Sequence, residues 1–318
     1  MSYAFPPEVD GVEAAVRRIA TEQLDKAIAE IDDAGLAPGE TVHQVRKRCK
    51  KLRALVRLVR PSFAAYKHEN AFFRDLARGL SGARDAQALV DAYGRLIEQA
   101  GEAGAGDRFA AIGAELERRR EAATAGLHAP SLAETRAALD EARARAAAWS
   151  LREEGFAALR PGLKDTCKLC RNALAAAEKK PTAERLHELR KRAKQGWYHL
   201  RLLARHTPPA FESRVPAASA LGEILGDDHD LAVLRGRIEA DRGAFGGKKL
   251  TKAFLALIDA QRALLQEEAF GLAHSLFDDK PKAFADAFAQ AWSAAPSEPA
   301  GGDPPAASRF PTPAIISA

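Results

Sequence analysis

The sequence has few of the residues that mark secreted, membrane-spanning or β-rich proteins. Only three cysteines occur among 318 residues, too few for a disulfide framework and typical of a reducing compartment. Aromatic residues make up 7%, and alanine supplies much of the apolar fraction, which favours helix over sheet. No apolar run approaches the roughly 18 residues of a membrane span, and the first residues lack the apolar core of a signal peptide. A cytoplasmic protein with no membrane contact is expected.

Apolar residues recur with helical spacing through most of the chain. In 12–31, for example, Val16, Ile19, Leu24 and Ile28 fall on one side of a helix. The same spacing predicts helices near 40–59, 67–78, 83–99, 108–124, 133–148, 152–178, 182–205, 209–225, 229–240, 248–276 and 282–293. The expected fold class is all-α. Proline, glycine, alanine and serine dominate the last residues, so a disordered tail is predicted at 294–318.

Two segments of the chain repeat one another. VHQVRKRCK at 42–50 recurs as LHELRKRAK at 186–194, an offset of 144 residues. A second shared element follows each copy, in which Leu80 and Asp85 match Leu225 and Asp230 at an offset of 145. This order predicts an internal duplication that forms two pseudo-symmetric helical bundles, at 11–128 and 129–293, with a basic groove between them.

Positive charge is concentrated in the two repeated segments. Residues 41–61 hold eight Lys/Arg and no acid, and residues 185–205 hold seven Lys/Arg and one acid, Glu188. The net charge of the whole chain is only +5. Outside these windows, which carry +8 and +6, the chain is therefore acidic.

Helical geometry places these cations on one face of each repeated helix, opposite the apolar face. The first basic stripe contains His43, Arg46, Lys47, Lys50 and Arg57. The second basic stripe contains His187, Arg190, Lys191, Lys194, Arg201 and Arg205, with Tyr198 among them. A weaker third basic stripe, Lys164, Lys168 and Arg171, precedes the second and is expected to flank the same groove.

Charge runs on helices are usually solvated faces, but these stripes favour a different interpretation. Like charges at i,i+3 and i,i+4 repel each other and destabilise a helix. Two related helices share this pattern, each with a histidine at the same position. We therefore expect an anionic ligand along both stripes.

The repeated segments resemble the CHAD family, the conserved histidine α-helical domain. VHQVRKRCKKLRALVRLVRP and LHELRKRAKQGWYHLRLL are similar to its two His-Arg-Lys signatures, and LSGARDAQAL and LGDDHDLAVL to its Leu-Gly-x-x-x-Asp elements. The resemblance covers roughly 11–293 and implies two pseudo-symmetric bundles that bind inorganic polyphosphate and associate with polyphosphate granules. Without the Glu-x-Glu-x-Lys signature of a triphosphate tunnel enzyme, a standalone domain is expected. The implied contacts are His43, Arg46, Lys47, Lys50, Arg57, His187, Arg190, Lys191, Lys194 and Arg201.

Other candidate signals have structural interpretations. Cys167 and Cys170 form a lone CxxC without further zinc ligands, so we expect a core-facing pair. Asp227-Asp-His-Asp230 could indicate a metal-dependent phosphohydrolase, but its repeat equivalent lacks the histidine. Asp85 and Asp230 are instead expected to pair with Arg48 and Arg192, which lie toward the apolar sides of their helices.

The sequence therefore predicts a non-catalytic polyphosphate-binding protein with no catalytic residue, metal site or cofactor. Its expected location is the cytoplasm, including polyphosphate granules, and its oligomeric state is left open. A binder of nucleic acid or another polyanion is an alternative, since basic grooves also suit phosphodiester backbones. Against nucleic acid, few aromatic side chains accompany the stripes. A polyphosphate-processing accessory enzyme is the third possibility, although no carboxylate cluster accompanies the stripes.

Overall fold

The computed structural model describes residues 3–6, 11–80, 82–100, 105–125 and 130–294. This part of the chain contains eleven α-helices and no strand, which confirms the all-α prediction. The helices are α1 (Val12–Asp32), α2 (Pro38–Leu58), α3 (Tyr66–Gly79), α4 (Gly82–Gln99), α5 (Ala105–Ala125), α6 (Pro130–Ala147), α7 (Arg160–Lys179), α8 (Ala183–Leu202), α9 (Arg214–Ala240), α10 (Lys248–Phe277) and α11 (Pro281–Ala294). The predicted tail beyond Ala294 lies outside the described residues.

The two basic helices, α2 and α8, begin at residues that favour helix initiation, and each buries one apolar face. Pro38 occupies the first turn of α2, where its missing N–H costs nothing. The Thr182 hydroxyl caps α8 by accepting a hydrogen bond from the backbone N–H of Arg185. Val45, Leu52 and the residues spaced with them are buried on α2, as the pattern predicts.

Two helix boundaries differ from the sequence prediction. The helices expected at 209–225 and 229–240 form one continuous helix, α9, so the Asp-rich segment at 227–230 is helical throughout. The helix expected from 152 begins at Arg160, after a short 3₁₀ turn at Gly155–Ala158. Glycine and aspartate have low helix propensity, but packing along the whole of α9 overrides it.

The helices share two hydrophobic cores. The larger core joins α1, α2, α3, α6, α7, α8 and α11 with the first half of α9 and the end of α10. The smaller joins α4 and α5 with the second half of α9 and the start of α10. Both cores thus contain helices from before and after the predicted bundle boundary at 128–129, which itself lies outside the described residues.

Helices α2 and α8 contact each other in antiparallel orientation. The Nε2 of His199 donates to the Ala54 carbonyl at 2.9 Å, and Arg57 donates to the Gln195 side-chain oxygen at 3.3 Å. The residue numbers of these contacts rise along α2 while they fall along α8. Gln195 also donates to Thr166 of α7, and the Thr166 hydroxyl lies 3.1 Å from the Nδ1 of His199. This network fixes the contact between the two basic helices.

A short N-terminal segment lies over this contact. Tyr3, Ala4 and Phe5 are buried. The Tyr3 hydroxyl donates to the Lys51 carbonyl at 2.7 Å, and the Phe5 N–H donates to the Leu202 carbonyl at 2.8 Å. The segment therefore bridges α2 and α8 on one side.

The start of α7 approaches the end of α2 closely enough to require glycine. A Cβ atom at Gly162 would lie 1.8 Å from the Leu58 carbonyl oxygen. We expect Gly162→Ala to lower the free energy of unfolding by about 2 kcal/mol or more, because backbone must move to relieve the clash. Gly236→Ala on α9 is the control, since a Cβ there meets nothing within 4 Å. Equal denaturation midpoints for the two variants would contradict the close approach.

The buried His199 should make stability depend on pH. Burial lowers the pKa of His199 to about 4, below the value near 6.5 of an unfolded histidine. The unfolded chain then binds the extra proton, so this contribution to stability is lost as pH falls from about 6.5 toward 4. We expect the unfolding free energy to drop by about 2 kcal/mol between pH 7 and pH 5 from this residue.

Denaturant unfolding of the protein and of His199→Gln at both pH values measures this contribution. Burial also lowers the pKa values of His206 and His229, so the variant should retain part of the pH dependence. An unchanged pH dependence in His199→Gln would show that His199 does not titrate as the structure requires.

Candidate functional site

The first basic stripe lies on α2 and is largely open to solvent. His43, Lys47 and Lys50 are exposed, whereas Arg46 is half-buried. Arg46 donates to the Ala77 carbonyl at 2.5 Å, near the carboxyl end of α3. The partial negative charge at that helix end favours the contact, which fixes the position of the guanidinium.

The end of the first stripe reaches the contact with α8. Arg57 is half-buried there, and burial is the main cause that lowers its pKa. Lys51 is 6% exposed, and burial lowers its pKa to about 7, with Arg48 and Arg201 adding to the effect. Lys51 is thus a desolvated cation close to the α2–α8 contact, with further cations nearby.

The second basic stripe packs its side chains against glycines of α9. A Cβ at Gly226 would lie 3.3 Å from the Arg190 guanidinium, and a Cβ at Gly222 would lie 3.4 Å from the Lys194 side chain. Both cations are half-buried, and burial is the main cause that lowers their pKa values. Among the described residues, the buried Nε of Arg190 has no hydrogen-bond acceptor. Arg190 thus presents an unused donor beside α9.

Acidic side chains of α9 oppose the second stripe, a position that the sequence did not predict for them. The carboxylates of Asp227 and Asp230 favour the charged form of Arg190. They also contact Arg95 of α4, whose guanidinium lies 3.1 Å from Asp227 and 3.6 Å from Asp230. Glu223 acts in the same way on Lys194. Their spacing at 223, 227 and 230 is the signal that could have revealed one acidic face.

A second histidine lies against the histidine of the second stripe. The Nδ1 atoms of His187 and His229 are 3.1 Å apart, and their ring centroids are 4.2 Å apart. Burial, then the charge of neighbouring cations, lowers the pKa of His187, and burial lowers that of His229 to about 4. Both rings are therefore neutral near pH 7. The sequence indicated His229 only as part of Asp227-Asp-His-Asp230, and its contact with His187 was not predicted because its repeat equivalent, Arg84, is not a histidine.

The remaining members of the second stripe differ in their surroundings. Lys191 is exposed and ion-paired with Glu188 on the same helix. The Arg201 guanidinium lies over the Trp197 ring, 4.9 Å from its centroid. Arg205 is exposed on a 3₁₀ turn beyond the end of α8. Arg201 and Arg205 extend the cationic surface past the α2–α8 contact, which involves Gln195 and His199 of α8.

Two predicted contact residues have structural positions instead. The placement of Tyr198 on the basic surface is wrong, because its ring is 8% exposed and packs edge-on against Tyr3 at 6.1 Å. That part of the face is covered by the N-terminal segment. Arg171 donates to the carbonyls of Phe277 and Asp278 at the end of α10, at 2.6 and 2.5 Å. Lys164 and Lys168 are exposed on α7.

The expected partners of two other arginines are also corrected. Arg48 forms its ion pair with Glu30 of α1, and Arg192 with Glu188 one turn earlier on α8. Asp230, predicted to pair with Arg192, contacts Arg95 instead. These partners come from helix packing and from i,i+4 neighbours, neither of which the repeat alignment shows.

The cysteines are core residues, as predicted for the CxxC pair. Cys49, Cys167 and Cys170 are all buried. Burial raises the pKa of Cys49 to about 12 and that of Cys167 to about 11. Within the described ranges, no group of three or more His, Cys, Asp or Glu side chains is arranged to hold a metal ion.

None of the helices in the described part of the chain combines the length and apolar character needed to cross a bilayer.

Comparisons with known proteins agree with the helical architecture. The crystal structure of the CHAD domain from the plant Ricinus communis is similar, with a TM-score of 0.53, 18% identity, and coverage of 91% of this chain and 95% of that one. PptA from Streptomyces chartreusis gives a TM-score of 0.55, 14% identity, and coverage of 88% and 99%. None of the curated proteins matches significantly.

The family comparison includes both basic helices. A family model described as the CHAD domain matches residues 18–239, more than half of the chain and the whole of α2 and α8. The solved structures share the fold at low identity, and the family model covers the residues of both stripes. The chain therefore belongs to the CHAD domain family.

Proposed function

We propose that this protein binds inorganic polyphosphate without catalysis, along the first and second basic stripes. The observation that carries the proposal is the antiparallel contact of α2 and α8 at Ala54 and His199. From that contact, the first stripe extends about 17 Å and the second about 18 Å toward the start of its own helix, at 1.5 Å per residue. Because the helices are antiparallel, the stripes extend in opposite directions. A long, flexible polyanion could follow both.

The electrostatics of the contact support a polyanionic ligand. Burial and neighbouring cations lower the pKa of Lys51 to about 7 and that of Arg53 to about 10. The charged forms of these groups are therefore destabilised in the ligand-free protein. A chain of phosphates would compensate the crowded charges, and its oxygens would accept from Arg190, whose Nε has no acceptor among the described residues.

The surroundings of the stripes favour polyphosphate over single-stranded nucleic acid. Stacking of bases requires exposed aromatic faces, but Tyr3 and Tyr198 are buried. The half-buried Trp197 is covered by the Arg201 guanidinium. Polyphosphate needs only a line of cations, and the family resemblance points to the same ligand and to polyphosphate granules as its location.

Substitution of the stripe arginines by glutamine tests the proposal with less disturbance of the fold than substitution by an acidic residue. Arg46 holds the end of α3 and Arg190 packs on α9, so glutamine preserves part of each contact while removing the charge. We expect Arg46→Gln and Arg190→Gln each to weaken binding of long-chain polyphosphate by about tenfold, the loss of one charged hydrogen bond. The double variant should bind more weakly than either.

Arg235→Gln is the matched control, because Arg235 lies on α9 and pairs with Asp259 and Glu239. Isothermal titration calorimetry measures affinity, and circular dichroism and thermal unfolding check the fold. If Arg190→Gln binds as tightly as Arg235→Gln, the second stripe does not contact the ligand.

Binding should also depend strongly on salt and resist competition by nucleic acid. Neutralisation of several phosphates releases counterions, so affinity should fall at least about tenfold between ~50 mM and ~200 mM salt. Fluorescence anisotropy with labelled long-chain polyphosphate, titrated with unlabelled single-stranded DNA, measures both effects. Displacement of polyphosphate by DNA at equal phosphate concentration would indicate a general polyanion binder. An affinity that does not change with salt concentration would argue against a phosphate chain as the ligand.

A further inference from the structure

The two stripes face different electrostatic surroundings. Arg190 of the second stripe packs against Gly226, in the same turn of α9 as Asp227 and Asp230, and Lys194 packs against Gly222, next to Glu223. Arg46, the counterpart of Arg190 in the first stripe, contacts the uncharged carbonyl of Ala77. The second stripe is thus partly neutralised by acids of its own chain.

The repeat alignment shows that these acids belong mainly to the second half. At the offset of 145 residues, the counterparts of Glu223 and Asp227 are Arg78 and Gly82. Only Asp230 has an acidic counterpart, Asp85, and that side chain is exposed. The first stripe therefore has fewer acidic counterparts in this repeated element than the second stripe.

Arg95 gives the acids an alternative partner. Its guanidinium contacts both Asp227 and Asp230 from α4, on the side of the smaller core. Asp227 is partly desolvated, and burial raises its pKa. If phosphates bind Arg190, Asp227 and Asp230 keep their ion pairs with Arg95.

We propose that the stripes are unequal subsites, and that Asp227 and Asp230 set a chain-length threshold. This inference rests on the proposed function. Short phosphate chains bind the first stripe alone. The second stripe is filled only when a chain already held by the first stripe reaches across the α2–α8 contact, because tethering raises its effective concentration there. Asp227 and Asp230 are specificity-determining residues that compete with short, untethered phosphates for Arg190.

The test compares triphosphate with long-chain polyphosphate by isothermal titration calorimetry on the full chain. The wild-type protein should bind about one triphosphate, since only the first stripe is expected to bind short chains. Asp227→Asn should bind about two triphosphates, and it should bind long chains about twofold to fivefold more tightly, because one repulsive charge is removed. Asp230→Asn is a second variant with the same expectation.

Asp259→Asn is the control for the charge change, since Asp259 is exposed and pairs with Arg235 on the outer side of α9 and α10. It should leave both the stoichiometry and the affinity as they are. Thermal unfolding shows whether each variant folds. Asp227→Asn should fold, because burial already disfavours the charged carboxylate at position 227.

The outcomes separate this inference from the proposed function. If the unchanged protein binds no polyphosphate, both are overturned. If it binds polyphosphate but Asp227→Asn and Asp230→Asn match Asp259→Asn, only the threshold is overturned. Arg46→Gln should weaken triphosphate binding by about tenfold, the loss of one charged hydrogen bond. An unchanged affinity for triphosphate in this variant would show that the first stripe is not the primary subsite.

Discussion

The hydrogen bond from His199 to the Ala54 carbonyl is the interaction on which the arrangement of charges depends. It joins two helices that both carry many cations, and it does so through a ring that burial keeps neutral. A protonated histidine here would add one more positive charge to a contact that already contains Arg57. Neutrality of this buried group allows the two positive surfaces to meet.

Apolar and main-chain contacts compensate for the repulsion around that hydrogen bond. Tyr3 packs against Tyr198 and donates to the Lys51 carbonyl, while Phe5 pairs with the Leu202 carbonyl. These contacts hold α2 and α8 together without using their charged groups. The free energy gained by burial in the cores therefore offsets the repulsion between cations, which would destabilise an isolated helix of this sequence.

The local parts of this architecture could be read from the sequence, but the contacts between distant helices could not. Periodicity predicted the all-α fold and the buried side of α2, including Val45 and Leu55. Helical angles also placed Tyr198 on the basic face, which was misleading because the N-terminal segment covers that end. The acids opposing Arg190 depend on how α9 packs on α8, and no spacing within α8 records that packing.

The burial of all three thiols gives the molecule a property separate from its charge. Cys49, Cys167 and Cys170 lie in the interior, and burial raises the pKa of each thiol. Since only thiolates react readily, alkylating reagents attack the native form slowly and reach these groups when the helices separate. Cys49 belongs to α2, whereas Cys167 and Cys170 belong to α7. Their modification rates therefore report the opening of the two regions separately, and an added surface cysteine would be labelled almost alone.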